Sequence, residues 1–316
     1  MTNKQKQYTI AFYNIENLFD TVNDPMSDDD DFLPTSRKRW TKKRYYNKLR
    51  KIGSVISKIG NDDSDEAPVI VGLAEVENKL VLSDLISSEN LRDEDYSYVH
   101  YNSSDERGID VALLYKDGIF EVEHSDTFSI YLENEEGLRD YTRDILLVQG
   151  KLNGETISII VNHWSSRREG KKETEYKRIA AAEKVNSIIN TIKEDSPNMK
   201  IIVMGDFNDN PNNNSMELIE KESSLFNPFK TVWSRDVGSL NHNFQWNLFD
   251  HILFSINFFD NNISSLSFDE ADVFDVKSLT QYHGKYKGQP FRTYVGKKYK
   301  GGYSHHFPVF INLKAS

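Results

Sequence analysis

IIVMGDFND, residues 201–209, carries four apolar side chains into a glycine and stops at Asp206. A short, unbroken apolar run of this kind reads as a strand covered on both faces, as when helices lie outside a sheet. Upstream lies ETEYKRIAAAEKVNSIINTIK (173–193), where Ile179, Ala182, Val185, Ile189 and Ile192 recur at helical spacing. The same succession occurs earlier in the chain. TKKRYYNKLRKIGSVISKIG (41–60) aligns Tyr45, Leu49, Ile52, Ile56 and Ile59 on one face, and VIVGLAEV (69–76) follows and reaches Glu75. Twice, then, a helix precedes a buried strand that ends in a carboxylate, which places an acid on a rigid element at the rim of a core.

Working outward, YTIAFYNI (8–15), GIDVALLY (108–115), DILLVQGKL (144–152), TISIIVNHW (156–164), LFDHILF (248–254) and FPVFINL (307–313) also read as strands. Strands outnumber helices, so strict strand–helix alternation does not fit. Two packed sheets with helices outside do. No repeat and no Pro/Gly/Ser-rich linker divides the chain, so residues 1–316 read as a single domain, long enough to bury a full core. The acidic SDDDDF (27–32) and the asparagine-rich NDNPNNNS (208–215) read as surface turns.

Composition removes several classes. Without cysteine there are no disulfides and no thiolate metal sites. No run approaches the ~18 apolar residues of a membrane helix. MTNKQKQYTIAFYNI passes from polar residues straight into a strand, unlike an export signal, so a cytoplasmic protein with no membrane or obligate protein partner is expected. The net charge of −10 argues against a protein coated in positive potential. Local basic stretches nevertheless suit a phosphate-bearing substrate: Arg37–Arg44, Ser166–Lys172, and Lys285–Lys300 with its interleaved aromatics.

The chemistry lies in the polar residues that interrupt apolar runs. Asn14, Glu75, His163, Asp206 and Asn208 end strands, while Asp250 and His306 begin them. Singly, an Asn or Asp in such a place usually caps a turn. As a set they offer hard oxygen ligands for Mg²⁺ or Mn²⁺ together with an Asp–His pairing for acid–base work. The nucleophile elbow, the zinc helix, the Walker A loop and the dinucleotide fingerprint are all missing.

Assembled in order, NIEN (14–17), GLAEVEN (72–78), NHWSSR (162–167), GDFND (205–209), FDHIL (249–253) and SHHFPV (304–309) resemble the motifs of the endonuclease/exonuclease/phosphatase superfamily, the deoxyribonuclease I-like fold. NIENLFD with FLPTSRKRWTKKRYYNKL (32–49) is similar to a bacterial branch of it. The resemblance implies an α/β (α+β) four-layer α/β/β/α sandwich with the site where the ends of the sheets meet. It implies a divalent metal, Mg²⁺ or Mn²⁺, on Glu75 with Asn14 beside it, and Asp206 orienting or deprotonating the attacking water. Asn208 and His163 would donate to phosphate oxygens, and His306 would act as acid or base with Asp250 fixing its tautomer. Arg143 is a further candidate for a phosphate contact.

One residue departs from the pattern. Where the superfamily usually has aspartate before the last histidine, this chain has His305. It can ligate a borderline ion such as Mn²⁺ or Zn²⁺, it can donate to a phosphate oxygen, or its presence can leave the site impaired. The activity implied is metal-dependent hydrolysis of phosphodiester bonds, first in DNA or RNA. A small phosphorylated substrate (a nucleotide, inositol phosphate or phospholipid head group) is the alternative, and a binding module on a decayed scaffold the third.

Overall fold

The computed structural model describes residues 6–60, 66–134, 136–260 and 266–315. Two six-stranded sheets carry the fold. From edge to edge, one sheet holds the strands Leu266–Val273, Val309–Ala315, Gln7–Leu18, Ile70–Val76, Asp110–Lys116 and Tyr96–His100. The other holds Leu225–Phe226, Asp250–Ser255, Lys200–Asp206, Glu155–His163, Ile145–Leu152 and Phe120–Phe128. Every strand read from an apolar run is present. The strands Tyr96–His100, Phe120–Phe128 and Leu266–Val273 were not expected. All three lie at sheet edges, where one flank is open and polar residues can alternate with apolar ones.

Side-chain parity shows how the layers stack. In Lys200–Asp206, Ile202 and Met204 join the core between the sheets, whereas Ile201 and Val203 join a second core beneath the helices. Glu175–Asp195 supplies Ala181, Ala182, Val185, Ile188, Ile189 and Ile192 to that outer core, and Asn214–Ser223 adds Met216 and Ile219. On the far side, Lys42–Ile56 packs Tyr45, Leu49, Ile52 and Ile56 onto the first sheet. This is the α/β/β/α sandwich. The expected helical stripes hold with two changes. Ile59 is buried beyond the end of its helix, and Ile179 is only half-buried because Arg178 takes the inward place, ion-paired with Asp209.

The sheets approach most tightly at Gly72, where a Cβ would stand 2.4 Å from Met204 Sδ and 3.0 Å from Phe12 Cδ2. Met204 and Phe12 are both fully buried, so neither has free space to move into. Gly72→Ala should therefore cost ~1–3 kcal/mol through overpacking. Urea unfolding should show a lower midpoint at an unchanged slope, and in a double-mutant cycle with Met204→Ala the combined loss should be smaller than the sum of the two single losses.

Candidate active site

Register brings the site together. Asp206 lies opposite His163 on one neighbouring strand and opposite Asp250 on the other. Residues paired in this way share a face, and parity makes it the inner face, which is apolar as far as Met204 and Ile252. Three polar side chains thus emerge together at the open end of the sandwich. The other sheet meets them there. Asn14 Nδ2 donates to Asp206 Oδ2 at 2.9 Å and lies 3.5 Å from Glu75 Oε1, while Asn14 Oδ1 accepts the Glu16 amide at 3.0 Å. Asn14 therefore turns its nitrogen, not its oxygen, toward the carboxylates, a different disposition from the ligand expected of it.

Glu75 sits at an irregularity in strand pairing, with φ at +67°. Glu16 (+54°), Asn17 (+54°) and Asn208 (+51°) share that left-handed conformation, which non-glycine residues pay for in strain and which concentrates at functional sites. The distortion brings Glu75 Oε2 within 2.7 Å of the Asn17 amide. Burial alone would raise the Glu75 pKa, but Arg107, His305 and His306 hold it below the usual carboxylate range, so Glu75 is ionised.

His306 Nδ1 lies 2.6 Å from Asp250 Oδ2, and both residues are buried. Burial opposes the imidazolium, yet Asp250 and then Asp206 raise its pKa to about 9. Burial and the charge of Asp250 likewise push the Asp206 carboxyl up. Ligand atoms of Asp206, Asp250 and His306 lie within 4.8 Å of one another. Ser304 ties this constellation to the first strand, since its Oγ donates to the Asn14 carbonyl at 2.7 Å and accepts the His306 amide at 3.1 Å.

His163 stands 3.8 Å from Asp206 Oδ2 through Nε2, and its buried Nδ1 has no hydrogen-bond partner. Burial, with Arg143 and Arg107 nearby, holds its pKa well below the ordinary histidine value, so the ring is neutral. Asn208 Nδ2 donates to the Trp164 carbonyl at 3.0 Å, which leaves its second amide proton available. Arg143 is more committed than expected. Its guanidinium reaches the carbonyls of His163 and Trp164 and the carboxylate of Asp105, so it supports the histidine strand as well as lining the cleft.

His305 joins His306 to Glu16. Its Nε2 lies 3.1 Å from His306 Nε2, and its Nδ1 is 3.4 Å from Glu16 Oε1, a contact without good hydrogen-bond alignment. Burial and the charge of His306 hold His305 below its usual pKa. Glu16 received no role from the sequence, though NIEN contains it. Burial works against its charge, yet His305, Lys48 and Arg292 bring it down to about 2.

These groups open onto a cleft of about 900 Å³. Its lining includes the cations Arg107, Arg143, Arg167, Arg168 and Lys177, the acids Asp105, Glu106, Asp140 and Glu169, and His242, Asn243, Gln245 and Asn247 of the hairpin 240–247. From the basic–aromatic Lys285–Lys300 stretch, only Arg292 lines the cleft. Tyr299 and Phe291 pack on the first helix, under Arg44 and Lys51 respectively, whereas Tyr286 stacks on Phe244 of the hairpin. From Ser166–Lys172, Ser166, Arg167 and Arg168 do face the cleft. The asparagine-rich stretch is a brace rather than a surface turn, because Arg167 bonds Asn213 Oδ1 at 2.8 Å and Asp209 is buried. No helix among the described residues is long and apolar enough to cross a membrane.

The donor set suits a divalent cation: an ionised, nearly buried Glu75 with one oxygen making only a 3.5 Å contact, and other hard oxygens within the same cleft. The superposable solved structures include an endonuclease/exonuclease/phosphatase family protein from Bacteroides thetaiotaomicron, 18% identical, with a TM-score of 0.63 over 99% of each chain. The mannosyl-6-phosphatase Bt3783 of the same organism is 17% identical, with a TM-score of 0.60 over 97% of this chain and 99% of its own. D. rerio TDP2 complexed with a single-strand DNA product is 11% identical, with a TM-score of 0.58 over 98% of this chain and 99% of its own. No curated protein sequence matches the chain. The model of the endonuclease/exonuclease/phosphatase family matches residues 9–315, nearly the whole chain, and the protein belongs to that family.

Proposed function

We propose that the protein is a divalent-metal-dependent hydrolase of phosphodiester bonds, acting on DNA or RNA. The observation that carries this reading is an ionised Glu75 facing a buried Asp206–Asp250–His306 cluster, with the unpartnered neutral His163 beside it. Glu75 would hold Mg²⁺ or Mn²⁺, which offsets charge on the phosphoryl and leaving oxygens when bound. His163 and the free amide proton of Asn208 would donate to non-bridging phosphoryl oxygens.

One distance supports a reading of the proton chemistry. His306 Nε2 and Asp206 Oδ2 are 3.8 Å apart, too close to serve opposite sides of a phosphoryl group in line. They therefore act on one water. Asp206, its carboxyl pushed up by burial and Asp250, accepts the proton, and charged His306 steadies the carboxylate and orients the water. Asp250 keeps the His306 proton on Nδ1.

The arginines of the cleft support a nucleic-acid strand. The hairpin 240–247 supports the second reading, a small phosphorylated substrate, because Asn243, Gln245 and Asn247 are uncharged amides suited to hydroxyls, and one structural relative is named as a mannosyl-6-phosphatase. A panel of plasmid DNA, RNA, bis-p-nitrophenyl phosphate and sugar monophosphates, each with Mg²⁺, Mn²⁺ or chelator, separates these. Cleavage of the diesters with either ion and none with chelator is expected. Turnover of monoesters alone would replace the diesterase reading with the second, and inertness throughout would remove both.

His306→Ala should lower kcat/KM at least ~10²-fold. The pKa raised to about 9 also fixes a stability signature. A group whose pKa rises on folding contributes fully below its unfolded value near 6.5 and loses that contribution as pH climbs through 9. In chelator, the stability gap between the native chain and His306→Gln should therefore narrow by up to ~3 kcal/mol over that interval. A gap independent of pH would show that His306 is not held charged.

A further inference from the structure

Arg107 and Arg168 differ from the other cationic residues of the cleft. Arg143 and Arg167 spend their guanidinium groups on main-chain carbonyls and on Asp105, Asp209 and Asn213. Lys177 is paired with Asp140 at 2.7 Å. Among the described residues, neither Arg107 nor Arg168 donates a side-chain hydrogen bond, and the only ion-pair contact of Arg107 is Asp105 Oδ1 at 3.9 Å. That Asp105 is already taken up by Arg143 at 2.9 Å.

Their position is equally specific. Both residues line the main cleft and also an adjoining pocket of about 330 Å³, so they form the partition between the two. Arg107 is close enough to feel Glu75 on one side and Arg168 on the other. Its side chain is only 33% exposed, and the loop that bears it is fixed. The Arg107 amide is held by Asp105 Oδ1, and Gly108 packs against Ser27 too closely to admit a Cβ. The partly buried Arg107 brings five N–H donors that no acceptor among the described residues takes up, and Arg168 stands exposed on the same partition. Two cations lining one cleft repel one another unless an anion lies between them, and planar forks match phosphate oxygens well.

We infer that Arg107 and Arg168 form a second phosphate subsite, so that the preferred substrate carries another phosphate group beside the scissile one. This deepens the phosphoesterase reading and rests on it. The chemistry is shared by a neighbouring phosphate of a polynucleotide and by the second group of a small bisphosphate. Asp28, Asp30 and Asp31 line the smaller pocket, whereas the cleft, although Glu106 and Glu169 line it too, leads to Glu75 and has its Asp105 and Asp140 taken up by Arg143 and Lys177, so the phosphate belongs on the cleft side of the partition.

Two chromogenic esters isolate the second phosphate: the p-nitrophenyl ester of thymidine 5′-monophosphate, and the same ester phosphorylated on the 3′ oxygen. The native enzyme should favour the second by ~10-fold or more in kcat/KM, chiefly through KM, as expected for one or two charge-assisted contacts. Arg168→Gln, at an exposed position that tolerates change, and Arg107→Lys should each reduce that ratio, and together bring it close to one. Equal use of the two esters by the native enzyme, or a ratio that survives the double variant, would overturn the subsite. If neither ester is cleaved, the phosphoesterase reading fails separately. Calorimetric binding of the two esters then decides: tighter binding of the phosphorylated form that Arg168→Gln abolishes sustains the subsite, and equal binding ends it. Competition by a single-stranded oligonucleotide and by a hexose bisphosphate tells the sources apart, the relevant one being whichever loses potency in Arg168→Gln.

Discussion

Asp206 and Asp250 lie side by side in register on neighbouring strands, both buried at the end of an apolar core. Two carboxylates so placed cannot both ionise without compensation, and most of the surrounding architecture supplies it. His306 brings a proton to Asp250 from the loop just ahead of the last strand. Asn14 crosses from the other sheet to donate to Asp206, and the Asn208 amide donates to its second oxygen at 3.0 Å. Because those partners come from both sheets and from a loop between strands, the acid pair fixes how the ends of the sheets are joined. It also explains why the backbone leaves its regular path at Glu75 and Asn208.

Most of this was legible in the sequence because burial on both faces leaves an unmistakable mark. An inner strand such as Lys200–Asp206 has no polar position between its first residue and its last, so Asp206 stands out, and His163 and Asp250 stand out at the ends of the apolar runs IIV and ILF. The edge strands were illegible on the same grounds: FEVEHSDTF (120–128) is largely open to solvent, and its polar alternation resembles a loop. Glu16 and Arg107 were missed because neither interrupts an apolar run. Glu16 follows Ile15 in a stretch already assigned to Asn14, and Arg107 stands just ahead of its strand. Their significance is three-dimensional, resting on partners that lie 276 and 289 residues away for Glu16. No local pattern encodes such a separation.

The basic stretches teach a related lesson. Charge runs in the sequence are equivalent, yet packing gives them different work. Lys48 is fully buried, bonded to Thr293 Oγ1 and the Tyr303 carbonyl, and burial drives its pKa down to about 8 even though Glu16 and Glu75 support its charge. The Lys285–Lys300 segment is thereby fastened to the first helix, and of its basic residues only Arg292 reaches the cleft. The overall charge of −10 does not stand against a phosphate-bearing substrate, because Arg107, Arg143, Arg167, Arg168, Lys177 and Arg292 gather around one cleft.

The exchange of aspartate for His305 is best understood through Glu16. An aspartate at 305 would bring one more negative charge beside Glu75 and His306. Here that place is filled by a ring whose pKa is held low, and the carboxylate stands one step further out, 3.4 Å from Nδ1 and secured by Arg292 and the Thr293 amide. The negative charge is displaced, not removed. Displacement weakens the pull on a cation at Glu75, since Coulomb attraction falls with distance and Arg292 already answers Glu16. It also gives charged His306 a neutral acceptor on Nε2, at 3.1 Å, which holds the second face of that ring when no water is bound. On the proposed reading, His305 therefore bears on two things together, the strength with which Glu75 would hold a cation and the orientation of the His306 imidazole beside Asp206.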